Sequence, residues 1–503
     1  MKISAKTYAL IFVLLSLSMA CINRKKDGDN NPATQTGKEI LVNANDSTSS
    51  NFVTIEEALN TAKNGDTIKI AAGTYTPTGG TLELKPGVKI EGANTVTTII
   101  QGDILDHNSS TEPVSLSNIT FKNFNFQRVG PSTTPEEKNI IKNCKFASLN
   151  ISYGAILSET DPSYSFLIEG NTVSEEIRFS HGAGKATNVI NNNTVTGNIS
   201  LIMGSGATNI ISNNTVTGII EDLSGTTTTT ISGNTINGRI VDSSGGHDDG
   251  TEDEIIDNNI VIFDEDILGP ELAAMEIKGR SATVSNNTVI VTGKASGIII
   301  KSGTPTNIKG NVITLPYIFD SSDPYSDPDN LTCAIYTLAG AGEVSNNKIT
   351  GGYYGIYDKS GGGKMDNNDI QSAHIGIWTA GGKEFNNNTI KDCKSDGLII
   401  ATKGPFSYNT IMNNLGAGIR ILNILSTTVP DLGGGALNGA GNNTIKGNGN
   451  YDLIIESANS NIDTIFAENN YWDHSLEEEI NNLDIYDGRD EEGLSIVNFV
   501  PFK

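Results

Sequence analysis

Asn192-Asn193-Thr194-Val195-Thr196-Gly197 returns as Asn213-Asn214-Thr215-Val216-Thr217-Gly218, and again as Gly233-Asn234-Thr235-Ile236-Asn237-Gly238. With the last asparagine of each copy as anchor, positions 171, 193, 214 and 234 lie 22, 21 and 20 residues apart; positions 347, 368, 388 and 409 lie 21, 20 and 21 apart. The phrase extends outward to Asn118 and Asn143 on one side and to Asn443 and Asn470 on the other. A fixed period in this range marks a solenoid. Most anchors lead into a short β-branched run that a Gly often closes, and no stretch between them carries an apolar pattern long enough for a helix. A rung made only of short strands and turns is one coil of a right-handed parallel β-helix. The sequence therefore predicts an all-β, single-stranded solenoid.

The chemistry of a coil explains the asparagine. A polar side chain aimed into a thin core costs about 1–3 kcal/mol unless it is hydrogen-bonded. Stacked at the strand spacing of about 4.8 Å, identical asparagines bond to one another and to the turn backbone. Asn also tolerates the left-handed backbone that a sharp corner needs. The Val and Ile that follow are expected to stack inside as aliphatic ladders, and a hydrophobic fraction of 37% suits so narrow a core.

Residues 1–21 read as an export signal: Lys2 and Lys6, an apolar stretch from Ala9 to Leu17, then Ser18-Met19-Ala20 before Cys21. The apolar run is too short to span a membrane. This segment resembles a bacterial lipoprotein signal, departing from it at Ser18, where that family prefers Leu. The resemblance implies a lipidated Cys21 and a protein anchored at the outer membrane or cell surface; plain secretion is the alternative. Residues 22–38 are polar and charged, the composition of a disordered tether. The other cysteines, Cys144, Cys333 and Cys393, are odd in number and are expected to be buried stacking residues rather than a disulfide framework.

The domain at 39–503 has distinct ends. Thr54-Ile55-Glu56-Glu57 is a capping box, and Ile55, Ala58, Leu59 and Ala62 make one apolar face of a short helix. The strand Thr67-Ile68-Lys69-Ile70, then Ala72-Gly73-Thr74-Tyr75 and Gly87-Val88-Lys89-Ile90-Glu91-Gly92, complete a passage (39–92) that resembles the N-terminal cap of the pectin-lyase-like superfamily. Residues 469–503, from Asn469-Asn470-Tyr471-Trp472 to Val497-Asn498-Phe499-Val500-Pro501-Phe502, resemble the closing cap of bacterial surface β-helix proteins. Within it, Trp472-Asp473-His474 is similar to a pectate lyase motif, but it lacks that motif's Ile and sits in the cap. The resemblance specifies architecture, and fold does not carry function.

Enzymes of that superfamily act on polysaccharides laid along the rod. Its lyases use a basic residue to take a proton, often with Ca²⁺ to neutralise a uronate. Wider intervals (234 to 259, 259 to 287, 311 to 347) mark coils with inserted loops, where function tends to reside. Asp248, Asp249, Glu252 and Asp253 in one of them are candidate oxygen ligands for Ca²⁺, without an EF-hand pattern; a solvated acidic loop is the alternative. Lys278, Arg280 and Lys301 are the candidates for a lyase-like base, against a reading as ordinary exposed cations. A better patterned feature follows: Gly297-Ile298, Gly355-Ile356, Gly376-Ile377, Gly397-Leu398 and Gly418-Ile419. With the aliphatic residue inward, strand alternation turns the next one outward, giving Ile299, Tyr357, Trp378, Ile399 and Arg420. Tyr353 and His374 lie two residues before their glycines. Tyr353, Tyr357, His374 and Trp378, with Arg420 nearby, thus form a candidate sugar-binding surface, since flat rings stack on sugar C–H faces while polar tips bond hydroxyls. The alternative is that a loop at 315–332 covers them.

The net charge of −24 argues against nucleic acid and against long-range attraction of anionic substrates. The sequence thus predicts a monomeric, surface-anchored protein that binds an extracellular polysaccharide, with cleavage by a lyase-like or hydrolytic site left open. A non-catalytic adhesin or structural spacer is the rival.

Overall fold

The computed structural model describes residues 37–503 apart from 47–50, 107–111, 129–137, 154–163, 182–183, 205, 226, 244–253, 265–271, 280, 302–304, 317–331, 339–340, 360–362, 382–383, 423–428 and 457–463. The signal segment, Cys21 and nearly all of the tether lie outside the described residues. The regular rungs carry three short strands. One rung runs Thr208–Ser212, Thr215–Val216 and Ile219–Asp222; the next runs Thr228–Ser232, Thr235–Asn237 and Arg239–Asp242. Like strands pair parallel and in register, Thr208 with Thr228, Thr215 with Thr235 and Ile220 with Ile240. Three parallel sheets result, here called first, second and third in the order the chain visits them. The chain is a parallel β-helix.

Side-chain alternation fills the rod. Ile211, Val216 and Ile220 are buried and stack on Ile231, Ile236 and Ile240, while Thr215 and Thr235 face water. The corner between the first and second sheets uses two residues rather than one. The outer residue is left-handed, as at Asn192 (φ 55°), Asn213 (φ 56°) and Asn286 (φ 54°), or is glycine, as at Gly233 (φ 66°). The next residue is the buried asparagine. This corrects the placement of Asn118 and Asn143. Both are left-handed, φ 61° and 51°, so they belong to the outer column, and the inward positions there are Ile119 and Cys144.

From Asn171 to Asn470 the inward column is unbroken asparagine. From Asn171 to Asn443 each Nδ2 donates to the Oδ1 of the next rung's asparagine at 2.9–3.1 Å. The same Oδ1 accepts the backbone N–H of the preceding asparagine, as from Asn171 to Asn193 at 2.9 Å. The other Nδ2 hydrogen goes to a strand carbonyl, as from Asn214 to Ile190 O at 2.9 Å. Every buried polar atom of the amide is therefore satisfied, which is the condition for keeping it in an apolar interior. Cys144 starts the chain of bonds, its N–H donating to Asn171 Oδ1 at 2.9 Å. Cys144, Cys333 and Cys393 are all buried, as expected. Burial pushes Cys144 and Cys393 up to about 12.

At the N-terminal end the helix Ile55–Thr61 buries Ile55, Ala58 and Leu59, and Thr54 Oγ1 accepts the Glu57 N–H at 3.3 Å. At the other end a short helical stretch, Glu477–Glu479 continuing through Ile480–Asp484, buries Ile480, and Ile496–Asn498 adds a last strand against Thr464–Phe466. Trp472 is a buried packing residue of this cap. The Asp473 N–H donates to Asp452 Oδ2 at 3.2 Å, and His474 Nδ1 meets Asp484 Oδ1 at 2.6 Å.

These acids give the cap a pH dependence. Burial raises Asp452 to about 7, opposed by a hydrogen bond from Asn448 and reinforced by the charges of Asp473 and Asp484. The folded chain therefore retains a proton that an unfolded aspartate, with a pKa near 3.9, has released. Stability falls as pH rises through that window. The hydrogen bond to Asp484 raises His474, whose contribution is likewise present at low pH and lost as pH rises through its folded pKa. Thermal melts of wild type and Asp452→Asn across pH 4 to 8 test this. The variant is expected to gain on wild type steadily from about pH 4 to about pH 7 and then hold its advantage. A difference that does not change with pH would refute it.

Candidate functional site on the outer face of the third sheet

Register links one outward column of the third sheet over many rungs. It runs Glu276, Ile299, Tyr336, Tyr357, Trp378, Ile399, Arg420, Ile454 and Tyr486. The Gly-Ile pattern places its aliphatic residues as expected: Ile298, Ile356, Ile377, Leu398 and Ile419 belong to the rod core. Glu276, Tyr336, Ile454 and Tyr486 are the members that the pattern misses. The coil of Tyr336 has Ala334-Ile335 in place of Gly-Ile, so the clue was the Ala-Ile-Tyr order within a widened coil.

The four expected aromatic residues do come together. Tyr357 stacks on Trp378 with ring centroids 4.5 Å apart and planes 21° apart, and Tyr353 lies 4.6 Å from His374. The expectation that they form an open surface is corrected. Tyr353 and Tyr357 are 1% and 4% exposed, His374 is 8% exposed, and only Trp378 is half-buried. With Ile299, Cys333, Tyr336 and Ile399, Tyr353 and Tyr357 form a second apolar cluster outside the rod core, and Trp378 packs against it. Rings that stack face to face hide one another's surfaces, and Tyr336 and Tyr354 flank Tyr357 at 5.3 and 4.7 Å. Burial holds His374 below its ordinary value, against an upward pull from Asp396. Most of the loop expected to cover them, 317–331, lies outside the described residues.

Arg420 continues the column but is engaged from two sides. Its Nε and Nη2 donate to the two oxygens of Asp396 at 2.5 and 3.1 Å, and its Nη1 bonds Glu456. Asp396 is buried and also accepts the Ala417 N–H at 2.7 Å. Immediately beyond lies a cleft of about 760 Å³ between the rung at 449–456 and the closing cap. Arg420, Tyr451, Ile454, Glu456, Tyr486 and Glu491 are among its walls. The rings of Tyr451 and Tyr486 are 5.4 Å apart, and the Tyr486 hydroxyl donates to Glu491 at 2.8 Å, which raises the phenol's pKa. Sequence reading missed this cleft because Tyr451 and Tyr486 lie on different elements, one on a rung and one in the cap.

The basic candidates converge on one carboxylate at the other end of the column. Lys301 and Lys278 reach Glu276 Oε1 at 2.7 and 3.1 Å, and Arg239 reaches Oε2 at 2.8 Å. Burial pushes Glu276 up, but the two lysines outweigh it and hold the carboxylate below its ordinary value. The ammonium groups of Lys278 and Lys301 are thus engaged in an ion cluster. Arg280 lies outside the described residues, as do Asp248, Asp249, Glu252 and Asp253. Among the described residues no group of three or more His, Cys, Asp or Glu is placed to hold a metal ion.

A family described as "Protein of unknown function (DUF1565)" matches residues 270–478, taking in Glu276, Lys278, Lys301, the aromatic column and Tyr451 but not Arg239 or Tyr486. Among solved structures, the catalytic domain of a GH87 alpha-1,3-glucanase variant in complex with tetrasaccharides is similar at 14% identity, covering 95% of this chain and 71% of that one with a TM-score of 0.29. A variant of the same domain in complex with nigerose is similar at 14% identity over the same shares, with a TM-score of 0.25. The A-module of a mannuronan C-5 epimerase from Azotobacter vinelandii is similar at 10% identity, covering 88% of this chain and 91% of that one, with a TM-score of 0.15. These likenesses concern the fold alone. No curated protein matches the sequence.

Proposed function

We propose that this protein binds an extracellular polysaccharide lengthwise on the outer face of the third sheet, with the Arg420 cleft as the principal subsite. The observation that carries this reading is the cleft itself, a concave site of about 760 Å³ with two tyrosine rings and convergent polar groups, in line with the half-buried Trp378. Concave sites that combine apolar rings with a few placed polar groups are where small polar ligands bind. Rings with a polar tip suit a sugar, whose two faces differ in the same way. Register steps from 378 through 399, 420 and 454 to 486, at about 4.8 Å each, give a track of roughly 19 Å. The N-terminal sequence supports a lipid anchor at Cys21, with 22–38 as tether, placing the track at a cell surface.

The purified protein would be titrated with oligosaccharides from a panel of neutral, amino and uronic glycans, with Ca²⁺ or EDTA. Unsaturated products and new reducing ends would be followed alongside. Saturable binding is expected, weakened at least ten-fold by Tyr486→Ala and less by Trp378→Ala, which sits partly behind its stacked neighbour. Product formation would add catalysis to the reading. Failure of every glycan to bind would remove it in favour of an adhesin or spacer.

A further inference from the structure

Resting on the binding reading above, we infer that the cleft selects amino-sugar units bearing a free ammonium group and turns away uronic acids. Charge decides the class. Among the described residues that line the cleft, Arg420 is the one cation, and Asp396 and Glu456 both bond to its guanidinium. Two carboxylates thus share one positive charge, and Glu491 in the cleft lining adds a third. The cleft carries a local negative excess on a chain whose net charge is already −24. A uronate carboxylate entering there meets like charges and a guanidinium already bonded to two carboxylates. An ammonium group meets the reverse: carboxylate acceptors for its three donors and the negative faces of Tyr451 and Tyr486. The Tyr486 hydroxyl fixes one oxygen of Glu491, so that carboxylate is held at the ring edge rather than free to swing away.

The test compares three ligands of equal length on the full chain: a glucosamine tetramer, its N-acetylated form and a galacturonic acid tetramer. Calorimetric titrations at low and high salt are expected to rank the glucosamine tetramer first by at least ten-fold, with the uronate not binding and the preference shrinking as salt rises. Glu491→Gln and Glu456→Gln are each expected to weaken the glucosamine tetramer several-fold more than the N-acetylated tetramer, and so to shrink that preference. Glu491→Gln leaves the Arg420–Asp396 pair intact, so it remains informative if Glu456→Gln disturbs the fold. Equal or tighter binding of the acetylated or uronic tetramer, or a preference that survives both variants, overturns the amino-sugar inference while the binding reading stands. Absence of binding by all three, or binding untouched by Tyr486→Ala, overturns the placement of glycan in this cleft and the inference with it.

Discussion

Asn287→Ala is expected to destabilise the protein by about 4 kcal/mol, read as a shift in the urea unfolding midpoint. Asn287 is fully buried. Its Oδ1 accepts the Asn259 N–H at 2.9 Å and Asn259 Nδ2 at 3.0 Å, while its own Nδ2 donates to Ile256 O at 2.9 Å and Asn311 Oδ1 at 3.0 Å. Alanine leaves the Asn259 N–H, one Asn259 amide hydrogen and the Ile256 carbonyl facing a void. Each orphaned buried group costs about 1–3 kcal/mol, and the lost stacking adds to it. The neighbouring substitution Asn286→Gly is the control. Asn286 is exposed and left-handed, and glycine already fills its column at Gly170, Gly233 and Gly310. Its hydrogen bond to Asp257 Oδ1 is lost, so a change within about 0.5 kcal/mol is expected. Similar costs at 286 and 287 would overturn the claim that the inner column carries the corner.

Arg420→Met is expected to cost about 3 kcal/mol and to abolish glycan binding. Removing one partner of a buried ion pair leaves the other charge unpaired in low dielectric, which is costlier than never having had the pair. Asp396, with a side chain 3% exposed, would keep only the Ala417 N–H. Adding Asp396→Asn to Arg420→Met removes that charge and should recover about half of the loss in stability, but not the binding, because Glu456 has lost the guanidinium that holds it against the cleft. Denaturation midpoints and titrations of the single and double variants separate the two effects. A stable Arg420→Met protein would mean that water, not arginine, compensates Asp396.

The rod was legible because one residue type at one spacing has few solutions. Amides at about 4.8 Å intervals must bond to each other, which fixes register, and register fixes which residue of each Gly-Ile pair points inward. Asn118 and Asn143 were misplaced because the corner holds two asparagines in most rungs, and where only one remains the sequence does not say whether it is the left-handed or the buried one. The Tyr357–Trp378 adjacency followed from register alone. Its burial did not, since the period alone does not say how closely Tyr336 and Tyr354 pack around Tyr357. The cleft was illegible for the same reason: Tyr451 faces Tyr486 through the closing cap, whose packing no repeat describes. Lys278 and Lys301 were named together with Arg280, but Glu276, which gathers the two lysines, was hidden as an ordinary member of the run Ala273–Ile277.

The asparagine link between Asn311 and Asn347 is 3.0 Å long, the same as those spanning far shorter coils, although 36 residues separate its ends. One corner of each turn is thus indifferent to what the rest of the turn contains. Such an arrangement separates inheritance of the scaffold from invention at its rim: a coil can acquire a new excursion, or exchange one, without any adjustment in its neighbours. The chain is in that sense modular at the level of a single turn, and a binding loop grafted between two of its amides should leave the remaining turns unaware of the change.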